Sequence, residues 1–365
     1  MKIGIAGMRG LGLVRAFRAF EGVEVAALCD IDEATLTRGA DEHGIAGRFT
    51  EFSRMLEHVD AMVVATPMQL HAEQSLEALA AGKHVLSEVT ACVTLDECWA
   101  LQEAAESAAA QGKVYSMAEN YCWLRECVLI RELVAAGLFG TPYYGEGAYL
   151  HEVRNYHHAP DGAPTWRARW QVGQRGCTYG THSLGPVMHW MKAANPAEHI
   201  VSVSCVGSGV HTDPEHPHDD TCLMLCQLAS GKLVQIRLDM MSNRPHLPAY
   251  YALQGTKGVY EASRLGGEGR LWLGESVDGA HRAWSLASEF DRYLPESYVR
   301  EEAAAKESGH GGADWFVGRD FVAACRGEKA PDTDLYDALE WTAAGILSTV
   351  SIEHGGAPVP VPNFR

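Results

Sequence analysis

The first 120 residues alternate between short strand-like runs and stretches with helical periodicity. The strand-like runs are apolar or rich in β-branched residues and cover residues 2–7, 23–30, 61–65, 84–87 and 114–117. The helical stretches between them include residues 11–20, 71–81 and 95–110. Apolar strands that alternate with helices predict a parallel sheet with helices on both faces. The alternation therefore predicts an α/β domain over residues 1–121.

After residue 121 the rhythm changes, because strand candidates follow one another with few helices between them. These candidates are residues 143–151, 200–206, 221–228, 233–241 and 250–254. Helical patterns cover residues 124–136, 183–191, 313–325 and 335–349. Successive strands predict an α+β domain with an open, mostly antiparallel sheet. A chain of 365 residues is long enough for two cores, so we expect this second domain to span residues 122–365, with its C-terminal helix able to pack back on the first.

Acidic residues outnumber basic ones, since Asp and Glu total 47, Lys and Arg total 30, and the net charge is -17. Such a charge repels nucleic acid phosphates and anionic lipid headgroups, so we expect neither nucleic acid nor membrane partners. No apolar run approaches the roughly 20 residues of a membrane-spanning helix, and the N-terminus lacks a secretory pattern. The ten cysteines show no Cys-x-x-Cys spacing, which is typical of reduced core thiols. We therefore expect a cytoplasmic location.

A glycine-rich turn joins the first strand to the first helix, with the sequence Gly7-Met-Arg-Gly-Leu-Gly12. Glycines at such a turn let backbone amides approach a pyrophosphate at the start of a helix. The usual spacing is Gly-x-Gly-x-x-Gly, whereas this turn reads Gly-x-x-Gly-x-Gly, so the motif alone is a weak signal. The residues expected to contact a cofactor here are Gly7, Arg9, Gly10, Leu11 and Gly12.

A carboxylate at the end of the second predicted strand strengthens this interpretation. Asp30 lies about 20 residues after the turn, where an acidic residue accepts hydrogen bonds from the adenosine ribose hydroxyls. A carboxylate there repels a 2′-phosphate, and no arginine follows it directly, which favours NAD over NADP. Asp32 is interpreted as the cap of a helix that begins at Glu33. Together the turn and Asp30 predict a Rossmann domain that binds NAD.

Two further segments carry a family resemblance: Ala65-Thr-Pro-Met-Gln-Leu-His71 and Gly82-Lys-His-Val-Leu-Ser-Glu88. They resemble the Gfo/Idh/MocA family, whose members are similar to glucose-fructose oxidoreductase and inositol dehydrogenase. That family has a Glu-Lys-Pro tripeptide after the fifth strand, and its lysine lies near the nicotinamide and the reacting hydroxyl. Here the tripeptide is Glu88-Val-Thr90, so the lysine is absent. The resemblance implies further cofactor contacts from Thr66, Pro67, Met68, His71, Glu88, Asn120, Trp166 and Arg167.

The segment from Gly176 to Pro186 narrows the resemblance. The family usually has an aspartate three residues before a histidine in this turn, whereas this chain has Tyr179 before His182. The joint change of lysine to valine and aspartate to tyrosine resembles one branch, glycoside hydrolase family 109, known for α-N-acetylgalactosaminidase activity. Other matching segments are residues 148–152, 165–167, 242–245, 254–258 and 310–314. His246 stands where that branch tends to have a tyrosine.

The resemblance implies a hydrolysis with no net redox change. Carbon 3 of the sugar is oxidised, the hydrogen on carbon 2 becomes acidic, the group at carbon 1 is eliminated, water adds, and carbon 3 is reduced again. Tyr179 and His182 are the candidate acid–base residues, because histidine suits proton transfer near neutral pH and tyrosine can donate to an oxyanion. Glu88 is interpreted as orienting the nicotinamide ribose rather than as a base. The expected sugar contacts are Glu152, His246, His310 and Asp314.

Two other functions stay open on the sequence alone. A sugar or cyclitol dehydrogenase that releases NADH would use Tyr179 and His182 as a proton relay, and a cofactor-sensing binding protein would have lost activity with the lysine. Segment 211–220 contains enough imidazoles and carboxylates for a metal, but two prolines and irregular spacing favour a polar connection, so no metal is expected. By resemblance, the sheet of the second domain is expected to mediate a homo-oligomer, either a dimer or a tetramer.

Overall fold

The computed structural model describes residues 1–213, 218–274 and 283–365, which form two compact units. The first unit comprises Met1–Leu124, Arg300–Thr342 and Phe364–Arg365. The second comprises Arg125–Val299 and Ala343–Asn363. Each unit is therefore assembled from segments that are distant in sequence. Among the described residues, no helix has both the length and the apolar character that crossing a membrane requires.

The strands of the first unit are β1 (Lys2–Ala6), β2 (Glu24–Cys29), β3 (Gly47–Phe49), β4 (Ala61–Val64), β5 (His84–Ser87) and β6 (Tyr115–Met117). In the described part of the chain they form a parallel six-stranded sheet in the order β3-β2-β1-β4-β5-β6. The strand order reverses between β1 and β4, which opens a crevice at the carboxyl ends of the strands. The predicted Rossmann sheet is confirmed. The sequence pattern misses β3, because its three residues are partly exposed and form no apolar run.

The helices are α1 (Val14–Arg18), α2 (Glu33–His43), α3 (Phe52–Leu56), α4 (His71–Ala80), α5 (Leu95–Ala109), α6 (Arg125–Ala135), α7 (Trp166–Arg169), α8 (Thr181–Ala194), α9 (Glu296–Ala305), α10 (Ala313–Cys325) and α11 (Leu335–Glu353). A 3-10 helix, Met8–Leu13, precedes α1, so the α-helix predicted from residue 11 starts later. Glycine lowers α-helix propensity, which explains the delay. The Asp32 carboxylate accepts from the Thr35 amide at 2.7 Å, as expected for the cap of α2.

The strands of the second unit are β7 (Pro142–Leu150), β8 (Ile200–Gly207), β9 (Cys222–Leu228), β10 (Leu233–Asp239), β11 (Leu247–Gly255), β12 (Gly258–Glu261), β13 (Arg270–Leu273), β14 (Ser285–Leu286) and β15 (Val359–Pro360). The described strands pair in the order β14-β13-β12-β11-β7-β10-β9-β8-β15. Of these pairs only β7–β10 is parallel. The predicted open, mostly antiparallel sheet is confirmed. The proline-containing segment of residues 357–365 adds β15 at the edge of this sheet.

Two glycines of β7 let α8 pack closely on this sheet. A Cβ atom at Gly147 would lie 2.1 Å from the carbonyl oxygen of Ser183, and one at Gly145 would lie 2.3 Å from a methyl carbon of Val187. Contacts this short do not occur between real atoms, so larger residues would push the helix outward. The close approach sets the position of the first turn of α8, which contains His182.

Candidate active site

Each glycine of the turn between β1 and α1 meets a different neighbour. Gly7 has φ +87°, and a Cβ there would lie 2.3 Å from the Ala65 carbonyl oxygen. A Cβ at Gly10 would lie 2.6 Å from a side-chain carbon of Ile5, and one at Gly12 would lie 2.8 Å from Oδ2 of Asp314. The unusual spacing therefore suits close packing of this turn against β1, β4 and α10. Bare backbone at this place leaves room for a diphosphate.

Two polar residues that follow β2 and β6 have oxygens that could accept hydrogen bonds from a dinucleotide. Asp30 is partly exposed at the end of β2, and one of its oxygens accepts from the Asp32 amide at 3.0 Å. Asn120 is 4% exposed and donates from Nδ2 to Asp314 at 2.8 Å. Its Oδ1 is buried and has no hydrogen-bond partner among the described residues. A buried acceptor left unpaired costs about 1–3 kcal/mol, so this oxygen suits a donor supplied by a ligand.

The loops after β4 and β5 are held together by His71. Its ring nitrogens lie 2.8 Å from the carbonyl oxygens of Thr66 and Thr90, one in each loop. Burial lowers the pKa of His71, while the contacts with the two carbonyl oxygens act in the opposite direction. Glu88 follows β5 directly, and its amide donates to the Val64 carbonyl at 2.8 Å. His71 therefore positions the loops that carry Thr66, Pro67, Met68 and Glu88, and a direct cofactor contact from these residues stays a prediction.

In the second unit, Tyr149, Tyr179 and His182 form a buried cluster of three rings. The rings of Tyr149 and His182 are stacked at 5.4 Å between centroids, and Tyr179 packs against Tyr149 at 5.7 Å and against His182 at 5.3 Å. The carbonyl of His182 accepts from the Tyr251 hydroxyl at 2.5 Å, which fixes the backbone that carries the imidazole. The two residues singled out in the sequence thus lie in direct contact, and Tyr149 joins them from β7.

Two more imidazoles extend this cluster. The rings of His151 and His246 meet edge to face with centroids 3.8 Å apart, and His151 also lies 5.2 Å from Tyr149. Burial is the main cause that lowers the pKa of His151 to about 4, and the nearby His246, Arg167 and His182 act in the same direction. Burial also lowers the pKa of His246. Both rings are therefore neutral at neutral pH, and each has a nitrogen able to accept a hydrogen bond.

The structure distributes the remaining predicted residues over both units. Glu152 is bound by Arg154, whose Nε lies 2.8 and 2.9 Å from its two oxygens, and this pairing holds the pKa of Glu152 below its usual value. The Arg167 guanidinium stacks 4.7 Å from the Trp166 ring and 6.0 Å from the Tyr156 ring, and both predicted cofactor residues lie in the second unit. His310 and Asp314 lie in the first unit, where Asp314 meets Gly12, and their predicted contact with sugar stays a prediction.

Comparison with known proteins decides the family. Residues 123–365 match the family model described as glycosyl hydrolase 109, C-terminal domain. The chain belongs to glycosyl hydrolase family 109. Residues 1–118 match the oxidoreductase family with an NAD-binding Rossmann fold. The family 109 resemblance inferred from Tyr179, His182 and the missing lysine is confirmed.

Individual relatives agree with this membership. A glycosyl hydrolase family 109 protein of Solibacter usitatus (strain Ellin6076) is 30% identical over 397 residues, covering 100% of this chain and 88% of the relative. The structure of an oxidoreductase domain protein from Kribbella flavida superposes with a TM-score of 0.82 at 23% identity, covering 99% and 98% of the two chains. Levoglucosan dehydrogenase in complex with NADH gives 0.79 at 18% identity, covering 100% and 99%. The expected NAD-binding enzyme fold is confirmed.

In this family 109 chain, the sequence analysis does not single out Tyr149 and His151, whose rings contact the candidate residues His182 and His246. Both lie on or directly after β7, two positions apart, and alternate residues of a strand share one face. Residues 143–151 were predicted as a strand, so the alternation of Gly147, Tyr149 and His151 was a usable signal. The pattern could not show that α8 packs on β7, which brings His182 against Tyr149, or that His246 meets His151.

Segment 211–220 lies partly outside the described residues, which omit Glu215 and His216. Asp219 is 0% exposed and accepts from Arg175 Nε at 3.0 Å and Nη2 at 3.1 Å. Asp220 accepts from the amides of His211 and Thr212. In the part of the chain that the structure describes, no group of side chains is arranged to hold a metal ion. The described carboxylates stabilise the connection between β8 and β9.

Proposed function

We propose that this enzyme is an NAD-dependent glycoside hydrolase that works by transient oxidation of its sugar. The observation that carries the proposal is the contact between Tyr149, Tyr179 and His182, combined with valine where a lysine is expected after Glu88. A simple dehydrogenase needs one proton acceptor for the hydroxyl being oxidised. An elimination and water addition at neighbouring carbons need several proton transfers, and a cluster of two phenols and an imidazole can supply them.

NAD, when bound, supplies a reversible hydride acceptor, and we propose that this chain's own residues hold it in place. The glycine turn would hold the diphosphate, Asp30 the adenosine ribose, and Asn120 Oδ1 a donor on the nicotinamide half. These three features fit because the turn has no side chains at its glycines, Asp30 is accessible, and Asn120 has an unpaired buried acceptor. The remaining proposed contacts are Arg9, Leu11, Thr66, Pro67, Met68, His71, Glu88, Trp166 and Arg167.

The proton transfers are assigned to the ring cluster. We propose that one group takes the proton of the carbon-3 hydroxyl as its hydride leaves, and a second takes the proton from carbon 2 as the carbon-1 group leaves. Water then adds at carbon 1, a proton returns to carbon 2, and carbon 3 regains its hydride and hydroxyl proton, so the sugar ends at its starting oxidation state. His182 is the proposed general base, because imidazole transfers protons best near neutral pH. Tyr179 and Tyr149 are the proposed donors to the developing enolate oxygen or to the leaving group. Glu152 and His246 are the proposed sugar contacts.

The decisive test is a panel of nitrophenyl glycosides turned over in deuterated water with NAD present. We expect release of nitrophenol, deuterium at carbon 2 of the recovered sugar, and no steady NADH absorbance. Release without deuterium would contradict the elimination, because direct displacement at carbon 1 does not exchange that hydrogen. Accumulation of NADH from free sugars would identify a sugar dehydrogenase instead. Binding of NAD with no reaction on any substrate would favour a cofactor-sensing protein.

We also propose that the enzyme is a cytoplasmic homo-oligomer. Three apolar side chains on neighbouring strands of the large sheet are exposed: Val206 by 54%, Leu225 by 43% and Leu233 by 42%. Apolar groups clustered on one sheet face favour association with a second copy. All ten cysteines lie among the described residues as free thiols, which suits a reducing compartment. Light scattering is expected to give at least twice the mass of one chain, and the mass of a single chain would contradict this proposal.

A further inference from the structure

A buried carboxylate lies against the glycine turn of the first unit. Asp314 is 7% exposed, and its Oδ2 would be 2.8 Å from a Cβ at Gly12 and 2.1 Å from a Cβ at Gly309. The glycines therefore leave space that this carboxylate fills. A negative charge beside a turn that receives a diphosphate is unfavourable unless a nearby group compensates it.

The neighbours of Asp314 supply that compensation. Nδ1 of His310 lies 3.0 Å from both carboxylate oxygens, and Asn120 Nδ2 donates to Oδ1 at 2.8 Å. His310 has φ +51°, and Gly311 and Gly312 also have positive φ. A left-handed backbone is rare for histidine. The chain adopts it here in the short turn that directs the imidazole back onto Asp314.

We propose that His310 and Asp314 act together as part of the diphosphate site of the bound dinucleotide, with the His310 imidazolium neutralising Asp314 and attracting the phosphates. The proposal rests on NAD binding by the first unit. It assigns this pair to the cofactor, whereas the sequence suggested a sugar contact. Arg9 of the glycine turn is close enough to interact electrostatically with both residues, so this end of the turn holds a second cation besides the His310 imidazolium.

The charges around His310 give the pair a definite pH dependence. The groups that face it are Asp314 from α10, Glu88 after β5, Arg9 from the glycine turn, and the ring of Tyr121 at 6.3 Å. The hydrogen bond to Asp314 raises the pKa of His310 above its ordinary value of 6.5, although burial acts against it. NAD affinity should therefore be high while the imidazole is protonated and should fall as the pH rises through this raised pKa.

The test is the dissociation constant of NAD measured by calorimetry between pH 5.5 and 9, without any sugar. His310→Gln is expected to weaken binding about 10-fold at pH 6.5, a loss equivalent to about 1.4 kcal/mol, and to flatten the pH profile. The same loss is expected with ADP-ribose as the probe. Adding Asp314→Asn to His310→Gln should restore most of the affinity, because the uncompensated charge is then removed. His58→Gln, at an exposed histidine of the same unit, is the matched control and should bind as wild type does.

Two results would overturn the proposal. One is wild-type affinity and an unchanged pH profile in His310→Gln. The other is a double variant that binds no better than the single variant although its thermal unfolding matches that of wild type. A loss confined to sugar turnover, with NAD and ADP-ribose binding intact, would return His310 and Asp314 to the sugar site. Because no sugar is present in the binding measurement, its outcome does not depend on whether the enzyme hydrolyses glycosides.

Discussion

Replacing His182 with glutamine is expected to lower turnover by about 10²–10⁴-fold, the usual effect of losing a general acid–base group. Glutamine keeps a polar side chain of similar length but cannot exchange a proton near neutral pH. His182 is 4% exposed and stacked on Tyr149, so its ring is held in one orientation for proton transfer. NAD affinity should change little, because His182 is assigned to proton transfer on the sugar and not to a cofactor contact. Steady-state kinetics and NAD calorimetry on the same preparation measure both quantities.

Tyr179→Phe extends this test, since it removes only the hydroxyl and keeps the ring that packs against Tyr149 and His182. We expect a similar loss of turnover with unchanged thermal stability. His189→Gln is the matched control, because His189 is also a buried imidazole of α8 but lies two turns further along the helix. Wild-type turnover in both His182→Gln and Tyr179→Phe would remove these residues from the catalytic machinery. A loss of turnover in His189→Gln as large as that in His182→Gln would point to helix packing as the cause.

The second large effect is expected for Gly7→Ala. An alanine there must adopt φ +87° and ψ 141°, a backbone conformation almost exclusive to glycine, which costs about 1–3 kcal/mol. Its methyl group must also lie 2.3 Å from the Ala65 carbonyl oxygen, and relieving such an overlap typically costs a further 1–3 kcal/mol or so. We expect urea unfolding to show a loss of about 2–6 kcal/mol in the free energy of unfolding, with a marked loss of NAD affinity. The affinity falls because the methyl group forces the diphosphate-binding turn away from β4.

Gly82→Ala is the control that has a positive φ but no overlap with a neighbouring atom. Gly82 has φ +70°, yet a Cβ there would meet no atom within 4 Å. This variant should therefore lose only the conformational part, about 1–2 kcal/mol, and should bind NAD normally. Equal losses in the two variants would mean that backbone conformation alone explains the need for glycine at position 7. A wild-type NAD affinity in Gly7→Ala would contradict the role assigned to the turn.

Much of the first unit could be predicted, because its signals are local. A strand followed by a glycine turn, and a carboxylate at the end of the next strand, stand within 30 residues of one another and need no knowledge of distant contacts. The predicted places of Asp30 and of the Asp32 cap agree with the structure. The unusual spacing of the glycines in the turn has a tertiary cause, because Gly12 meets Asp314 from a helix about 300 residues later.

The ring cluster shows the opposite case. Tyr179 and His182 could be singled out from a turn motif and His246 from the family resemblance, but Tyr149 and His151 could not. The contact of Tyr149 with His182 depends on the close packing of α8 on β7, which Gly145 and Gly147 allow at Val187 and Ser183. Similarly, Glu152 is a carboxylate of the kind that binds sugar hydroxyls, and the sequence could not show that Arg154 donates to both of its oxygens.

Most of the helices and strands, the α/β character of the first unit, the preference for NAD and the absence of the family lysine can be read from the sequence alone. These follow from periodicity, turn chemistry and single residue identities, which act over a few residues. The folded structure alone shows that Asp314 lies against Gly12 and that Tyr149 contacts Tyr179, His182 and His151. Contacts between segments far apart in the chain depend on how closely surfaces can pack, and packing is a property of the folded chain rather than of any one segment.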